Sequence, residues 1–227
     1  MGSGFSCKTK GKSEAEILLY EDVGAGFFGG VTAKDFAKEL AGLGSVETIH
    51  LRIASLGGDA HEGLAIYRRL ADHPARIVTH IDSWAASIAS VIAMAGDEIH
   101  IAEAGAIMIH EAWTVAMGDA ASLRSIADRL EASSAAIADV YVARTGKPLS
   151  QVRDWMAAET WFYGQEAVDA GFANSVVENM KVAARFNPDL HKFRNAPAAL
   201  AGTPNRDAMR QRLAEMRAKF ARDRKAA

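Results

Sequence analysis

The 227-residue chain holds a single cysteine, Cys7, which excludes a disulfide framework and a thiolate metal cage. That usage fits a reducing compartment. Its seven histidines show no metal-ligand spacing and no H-E-x-x-H occurs, so no metal and no cofactor is expected. There is no G-x-x-x-x-G-K-[ST] phosphate loop, so the chain supplies no ATP chemistry of its own. No apolar run is long enough to span a bilayer, and the start, M-G-S-G-F-S-C-K-T-K-G-K, lacks the apolar segment of a secretion signal. The formal net charge of -2 argues against a polyanion partner, so neither nucleic acid nor a membrane surface is expected to bind.

What is present suits a globular domain with a proper core: 49% hydrophobic and 24% charged residues. Residues 1–15 read as a disordered N-terminal segment, and 16–182 as one domain. Residues 183–205 read as a linker, because Asn187 to Asn205 carries three of the five prolines. From 206 to 227, Met209, Leu213, Met216 and Phe220 recur at helical spacing among arginines and lysines. This is a basic amphipathic helix, suited more to packing on protein than to nucleic acid.

Between these ends, strands alternate with helices. Strands are expected over Glu16–Tyr20, Thr48–Ile53, Arg76–Ile81, Glu98–Ile101 and Ala106–Ile109. Helices are expected after the caps Thr32, Asp59 and Ser150, and over Ala120–Arg144 until Gly146. The pattern is that of an α/β domain with a largely parallel sheet. Gly24 to Gly29 spells G-x-G-x-x-G, but the helix cap comes only at Thr32 and no acidic residue ends the second strand. The stretch therefore reads as a loop, not a dinucleotide site.

The chain is organised around Asp82–Gly96, D-S-W-A-A-S-I-A-S-V-I-A-M-A-G. A strand, a tight turn and a helix opening on small residues can hold up a nucleophile, here Ser87. Ser87 and Ser90 would otherwise be small residues for close packing. Gly57-Gly58, also between a strand and a helix, can turn the Gly58 N–H toward a substrate carbonyl. The Ile88 N–H supplies a second donor, and two such donors make an oxyanion hole. His110 ends the strand I-M-I, where an α/β enzyme places catalytic groups. Glu159 or Asp154 can orient an imidazole.

These pieces in this order resemble the Clp protease proteolytic subunit, ClpP, over about Glu16 to Asn174. The resemblance rests on I-A-S-L-G-G-D, the A-A-S of the nucleophile helix, M-I-H, T-G-K-P-L and W-F-Y-G-Q-E-A-V-D-A-G-F-A. Within the family the chain looks most like the bacteriophage head maturation (prohead) proteases, through A-K-D-F-A-K-E-L, D-S-W-A-A-S-I-A-S-V-I-A-M-A-G-D-E, A-E-T-W-F and F-R-N-A-P-A-A-L. The resemblance implies a ClpP/crotonase superhelix of ββα units and a serine endopeptidase without metal or cofactor. Ser87 would be nucleophile, His110 general base, Gly58 and Ile88 oxyanion donors, and Glu159 the third triad member, with Asp154 as fallback. It also implies a homo-oligomer, a heptameric ring or stacked rings, with the Ala120–Arg144 helix matching the element that joins rings. The substrates would be scaffold or capsid proteins, cleaved in the bacterial host cytoplasm inside an assembling prohead, without an ATPase unfoldase. Leu56, where the family usually has Pro, is expected to loosen the wall beside the oxyanion hole. Trp84 stands in the turn ahead of the nucleophile where smaller residues are usual. These departures motivate a rival, a non-catalytic assembly protein of the same fold. A crotonase-type acyl-CoA enzyme is a third reading, in which Ser87 has no role.

Overall fold

The computed structural model describes residues 4–11, 13–25, 30–178 and 193–196. The chain divides after Asn187, and every element named below lies before that point. The linker read over 183–205 falls outside the described residues apart from 193–196, and the helix read over 206–227 falls outside them entirely. So do residues 26–29 of the glycine-rich loop.

An eight-stranded sheet carries the domain, in the order β1-β2-β3-β4-β5-β8. β2 (Glu14–Leu19), β3 (Thr48–Ser55), β4 (Arg76–Ala86), β5 (Glu98–Ala102) and β8 (Ser175–Val177) run parallel. Residues alternate across it as the strand period requires. Ile49, Leu51 and Ile53 are fully buried beneath helices, whereas His50 and Arg52 point to the other, partly open face.

Of the segment 1–15 read as disordered, the described residues 4–11 and 13–15 are ordered and carry a strand. β1 (Phe5–Lys10) pairs antiparallel with β2 from Phe5↔Leu19 to Lys10↔Glu14. Its Ser, Thr and Lys content hides it in the sequence. The backbone ladder and the Phe5 ring, stacked 5.6 Å from Phe36, hold it in place.

β4 also corrects an expectation. The strand does not stop at Ile81 but continues through Trp84 to Ala86. Asp82, read as a turn residue, is 7% exposed inside the strand. It accepts from the Tyr20 hydroxyl at 2.5 Å and pairs with the Arg52 guanidinium. Those partners give the buried carboxylate the hydrogen bonds it needs. The length of β4 lets it serve two neighbours in turn. Val78–Ile81 pair with β5, then Trp84–Ala86 pair with β6 (Ala106–Ile109). β6 pairs antiparallel with β7 (Thr160–Tyr163).

The helices follow their caps. Thr32 accepts from Asp35 N at 3.0 Å to start α1 (Ala33–Gly42). Asp59 accepts from His61 N and Glu62 N to start α2 (Ala60–Ala71). The long α4 (Ala120–Thr145) ends at Gly146 with φ 66°. α5 (Leu149–Ala157) starts one residue before Ser150, with Pro148 (φ −57°, ψ 143°) rather than a serine as its N-cap residue. α6 (Gly164–Asp169) precedes β8. Between β4 and β5 lies α3 (Ile88–Ala93), every residue of it buried. α2 crosses α3 closely enough that a Cβ on Gly63 would lie 2.1 Å from Ile88 Cγ1. This close crossing fixes the helix that Ser87 precedes. Among the described residues no helix is long and apolar enough to cross a membrane.

Candidate active site

Ser87 is the residue between β4 and α3, with φ 53° and ψ −130°. Such a conformation in a non-glycine residue costs on the order of 1–3 kcal/mol and persists only where its surroundings impose it. Here the Ser87 N–H donates to the Met108 carbonyl of β6 at 2.9 Å. Among the described residues only one other non-glycine residue has positive φ: Glu159, at 52°. Both are residues singled out for chemistry.

His110 leaves the end of β6, and its Nε2 lies 2.7 Å from Ser87 Oγ. That is the hydrogen bond a nucleophile and its base require. The β6–β7 register pairs Ile109 with Thr160. Continued by one residue, it sets His110 across from Glu159. Glu159 is 3% exposed, and its N–H donates to Met156 O at the end of α5. Asp154 is exposed on α5. The fold therefore brings Ser87 and His110 into contact, sets the buried Glu159 just beyond the β6–β7 ladder, and leaves Asp154 at the solvent.

The double glycine reaches the same place from β3. A Cβ on Gly57 would lie 2.8 Å from Ser87 Cβ and 3.0 Å from Ile88 N, so the turn is packed directly on the nucleophile. Gly57 and Gly58 have φ 95° and 146°, open to glycine alone. Gly58 is anchored by a bridge to Val23, in which Val23 N donates to Gly57 O and Asp59 N donates to Val23 O. That bridge leaves the Gly58 N–H turned away. The Gly58 and Ile88 N–H groups donate to no other group among the described residues. Two unengaged backbone donors beside a Ser–His pair suit stabilisation of a tetrahedral oxyanion in acyl transfer.

Leu56, expected to loosen the wall beside the oxyanion hole, is fully buried beside this turn. Trp84 lies in β4, not in a turn. It meets Trp161 edge-on at 5.7 Å and Tyr163 at 6.4 Å. Ser90, expected to serve only close packing, also makes a hydrogen bond at the site. Its Oγ donates to the Ser87 carbonyl at 2.5 Å. The available signal was the repeat of serine three residues on, where a helix brings a hydroxyl back over the preceding turn. Among the described residues no group of three His, Cys, Asp or Glu is placed to hold a metal ion.

The Clp protease family model matches residues 13–180. The ATP-dependent Clp protease proteolytic subunit 1 of Leifsonia xyli subsp. xyli is 30% identical over 147 residues, 64% of this chain and 75% of that one. The proteolytic subunit 3 of Rhodococcus jostii is 31% identical over 134 residues, 58% of this chain and 66% of that one. The solved structure of a ClpP1 mutant from Listeria monocytogenes superposes with a TM-score of 0.63 at 21% identity, covering 72% of this chain and 91% of that one. At that identity the likeness speaks for the fold, which is of the ClpP type.

Proposed function

Because the chain belongs to the Clp protease family, we propose that it is a serine endopeptidase with Ser87 as nucleophile and His110 as general base. The observation that carries this reading is the 2.7 Å contact between Ser87 Oγ and His110 Nε2 at the mouth of two unengaged N–H donors. Ser87 Oγ attacks the peptide carbonyl carbon as His110 Nε2 takes its proton. The Gly58 and Ile88 N–H groups hold the oxyanion. His110 then protonates the leaving amine, and water attacks the acyl-enzyme by the same proton path. Glu159 holds the imidazole in the tautomer that presents Nε2 to the serine. No metal or organic cofactor enters these steps.

The biological setting we propose is phage head maturation: cleavage of scaffold or capsid proteins within an assembling prohead in a bacterial cytoplasm. The A-E-T-W-F and F-R-N-A-P-A-A-L stretches support it. The relatives are named as ATP-dependent, but this chain has no phosphate loop, so any ATPase would be a separate chain. The maturation reading needs none. We also propose a homo-oligomeric ring, heptameric or stacked. Trp113, Val115 and Met117 in the segment before α4 and Leu123 in its first turn are exposed, Met117 at 94%, and a second copy would cover them.

Co-expression with candidate phage coat and scaffold proteins tests the reading. Wild type should trim at least one of them, and Ser87→Ala should leave all intact. Intact partners with a folded wild type would favour the assembly-only rival. The acyl-CoA reading gives the Ser87–His110 contact no work, and thioester binding unaffected by Ser87→Ala would be needed to revive it.

A further inference from the structure

A buried chain of hydroxyls ends on the nucleophile's own carbonyl. Ser90 is fully buried, and its Oγ lies 2.5 Å from Ser87 O and 2.7 Å from the hydroxyl of Tyr141 on α4. Tyr141 is 1% exposed. A serine hydroxyl has one proton to give. The Ser87 carbonyl can only accept, so the Ser90 proton goes there, and the Tyr141 O–H must donate to Ser90 Oγ. Burial pushes the Tyr141 phenol far above its ordinary range, so it remains a donor at any working pH. The Ser90 N–H reaches the same carbonyl at 3.0 Å. The Ser87 carbonyl oxygen is thus held by two donors.

That carbonyl shares a planar trans peptide unit with the Ile88 N–H, and the two point in opposite directions. Fixing the oxygen therefore fixes the N–H. The unit hangs on a residue at φ 53° and ψ −130°, a conformation the backbone does not hold unaided. We infer that Tyr141 and Ser90 are positioning residues whose hydroxyl chain, by holding the Ser87 carbonyl, aims the Ile88 N–H into the oxyanion hole. This rests on the serine-hydrolase reading above. A helix serine bonding back to its preceding turn is common by itself. The second hydroxyl, delivered from a helix 51 residues on, makes this one directional. Alanine at position 90 would satisfy the packing but leave the carbonyl one donor short and the Tyr141 hydroxyl without its acceptor.

The test is the reaction of the full chain with a fluorophosphonate probe, whose phosphoryl oxygen takes the oxyanion position. The maximal inactivation rate kinact and the half-saturating concentration KI are measured for wild type, Ser90→Ala, Tyr141→Phe and Thr145→Ala. Removing one oxyanion donor outright costs about 10²–10³-fold in rate. Mis-aiming it should lower kinact by roughly 10- to 100-fold in Ser90→Ala and about 3- to 10-fold in Tyr141→Phe. KI should not move. The pH midpoint of kinact should stay at its wild-type value, because the Ser87–His110 contact is untouched. Thr145→Ala removes a 2.7 Å bond to the Tyr141 carbonyl on the same turn of α4, and should lower the melting temperature with kinact intact. Should Tyr141→Phe fail to fold, Ser90→Ala, which removes a single oxygen, carries the test. Wild-type kinact in folded Ser90→Ala would overturn the inference and leave the function standing. So would a loss that follows melting temperature across all variants, Thr145→Ala included. A folded wild type that does not react would overturn the function, and this inference with it.

Discussion

Replacing Gly58 by alanine places a methyl group 2.1 Å from the Val23 carbonyl oxygen and 3.0 Å from Val23 C and N. Ordinary contact requires roughly 1 Å more, and every atom in the way is backbone. The strand end at Val23 and the turn must therefore separate. Two bridge hydrogen bonds, Val23 N to Gly57 O at 2.8 Å and Asp59 N to Val23 O at 2.9 Å, stretch or break. Each contributes about 0.5–1.5 kcal/mol. A φ of 146° adds a further cost of about 1–3 kcal/mol for a residue with a Cβ. The sum, about 2–6 kcal/mol, is a large share of a typical domain's stability of about 5–15 kcal/mol but leaves most such domains folded. For a chain of this size the melting temperature should fall by roughly 4–24 °C. The Gly58 N–H moves with the turn, and loss of one oxyanion donor lowers the chemical rate by about 10²-fold or more. Circular dichroism on heating reads the first quantity, and the fluorophosphonate rate below the new melting point reads the second. Gly58→Ala that melts and reacts as wild type would refute both the packing argument and the donor role.

Three further outcomes follow from other parts of the site and sheet. Glu159→Gln should lower the fluorophosphonate rate by about 10²–10⁴-fold, as loss of the imidazole's orienting acid does in serine hydrolases, while exposed Asp154→Asn should stay within about twofold; the reverse result would move the third role to Asp154. Ser87→Gly should melt above Ser87→Ala, by about 1–2 kcal/mol in chemical denaturation, because only glycine relieves the φ of 53°; equal stabilities would mean that Ser87 is not strained. Acid should weaken the sheet through His80. Burial first, then the charge of Arg52 and the neighbouring His50 and His100, push its imidazole down to about 4, with only Glu16 acting the other way. The unfolded chain then binds the proton more readily, so stability is full above about pH 6.5 and is lost as pH falls toward 4. Solvent contact at the half-buried ring reduces the linkage of about 3 kcal/mol to roughly 1–2 kcal/mol. Urea midpoints between these pH values should show that slope, and His80→Gln should flatten it; an unchanged slope would exonerate His80.

The placement of the candidate residues was more legible in the sequence than the details of the scaffold that holds them. Ser87, His110 and Gly57-Gly58 stand at strand ends, where local pattern and glycine placement carry the information. Glu159 and Asp154 looked alike because one lies on α5 and the other just past its end. Only the pairing of Ile109 with Thr160, across 51 residues, separates the buried one from the exposed one. The continuation of β4 past Ile81 was hidden by Asp82, whose turn preference is overridden by Tyr20 and Arg52, 62 and 30 residues away. β1 was missed for the same kind of reason: its polar residues gain order from the ladder to β2 and from Phe36, not from their own propensity. The hydroxyl pair Ser90 and Tyr141 leaves no local trace at all. Each is unremarkable alone, and only the docking of α4 on α3 brings them together.

The central claim is that Ser87 is a nucleophile activated by His110. The most direct measurement is fluorophosphonate labelling at neutral pH of wild type, Ser87→Ala and His110→Ala, with the modified peptide identified by mass spectrometry. The account predicts a label on Ser87 in wild type alone. Label on another residue, equal labelling of Ser87→Ala, or none in a folded wild type would contradict it.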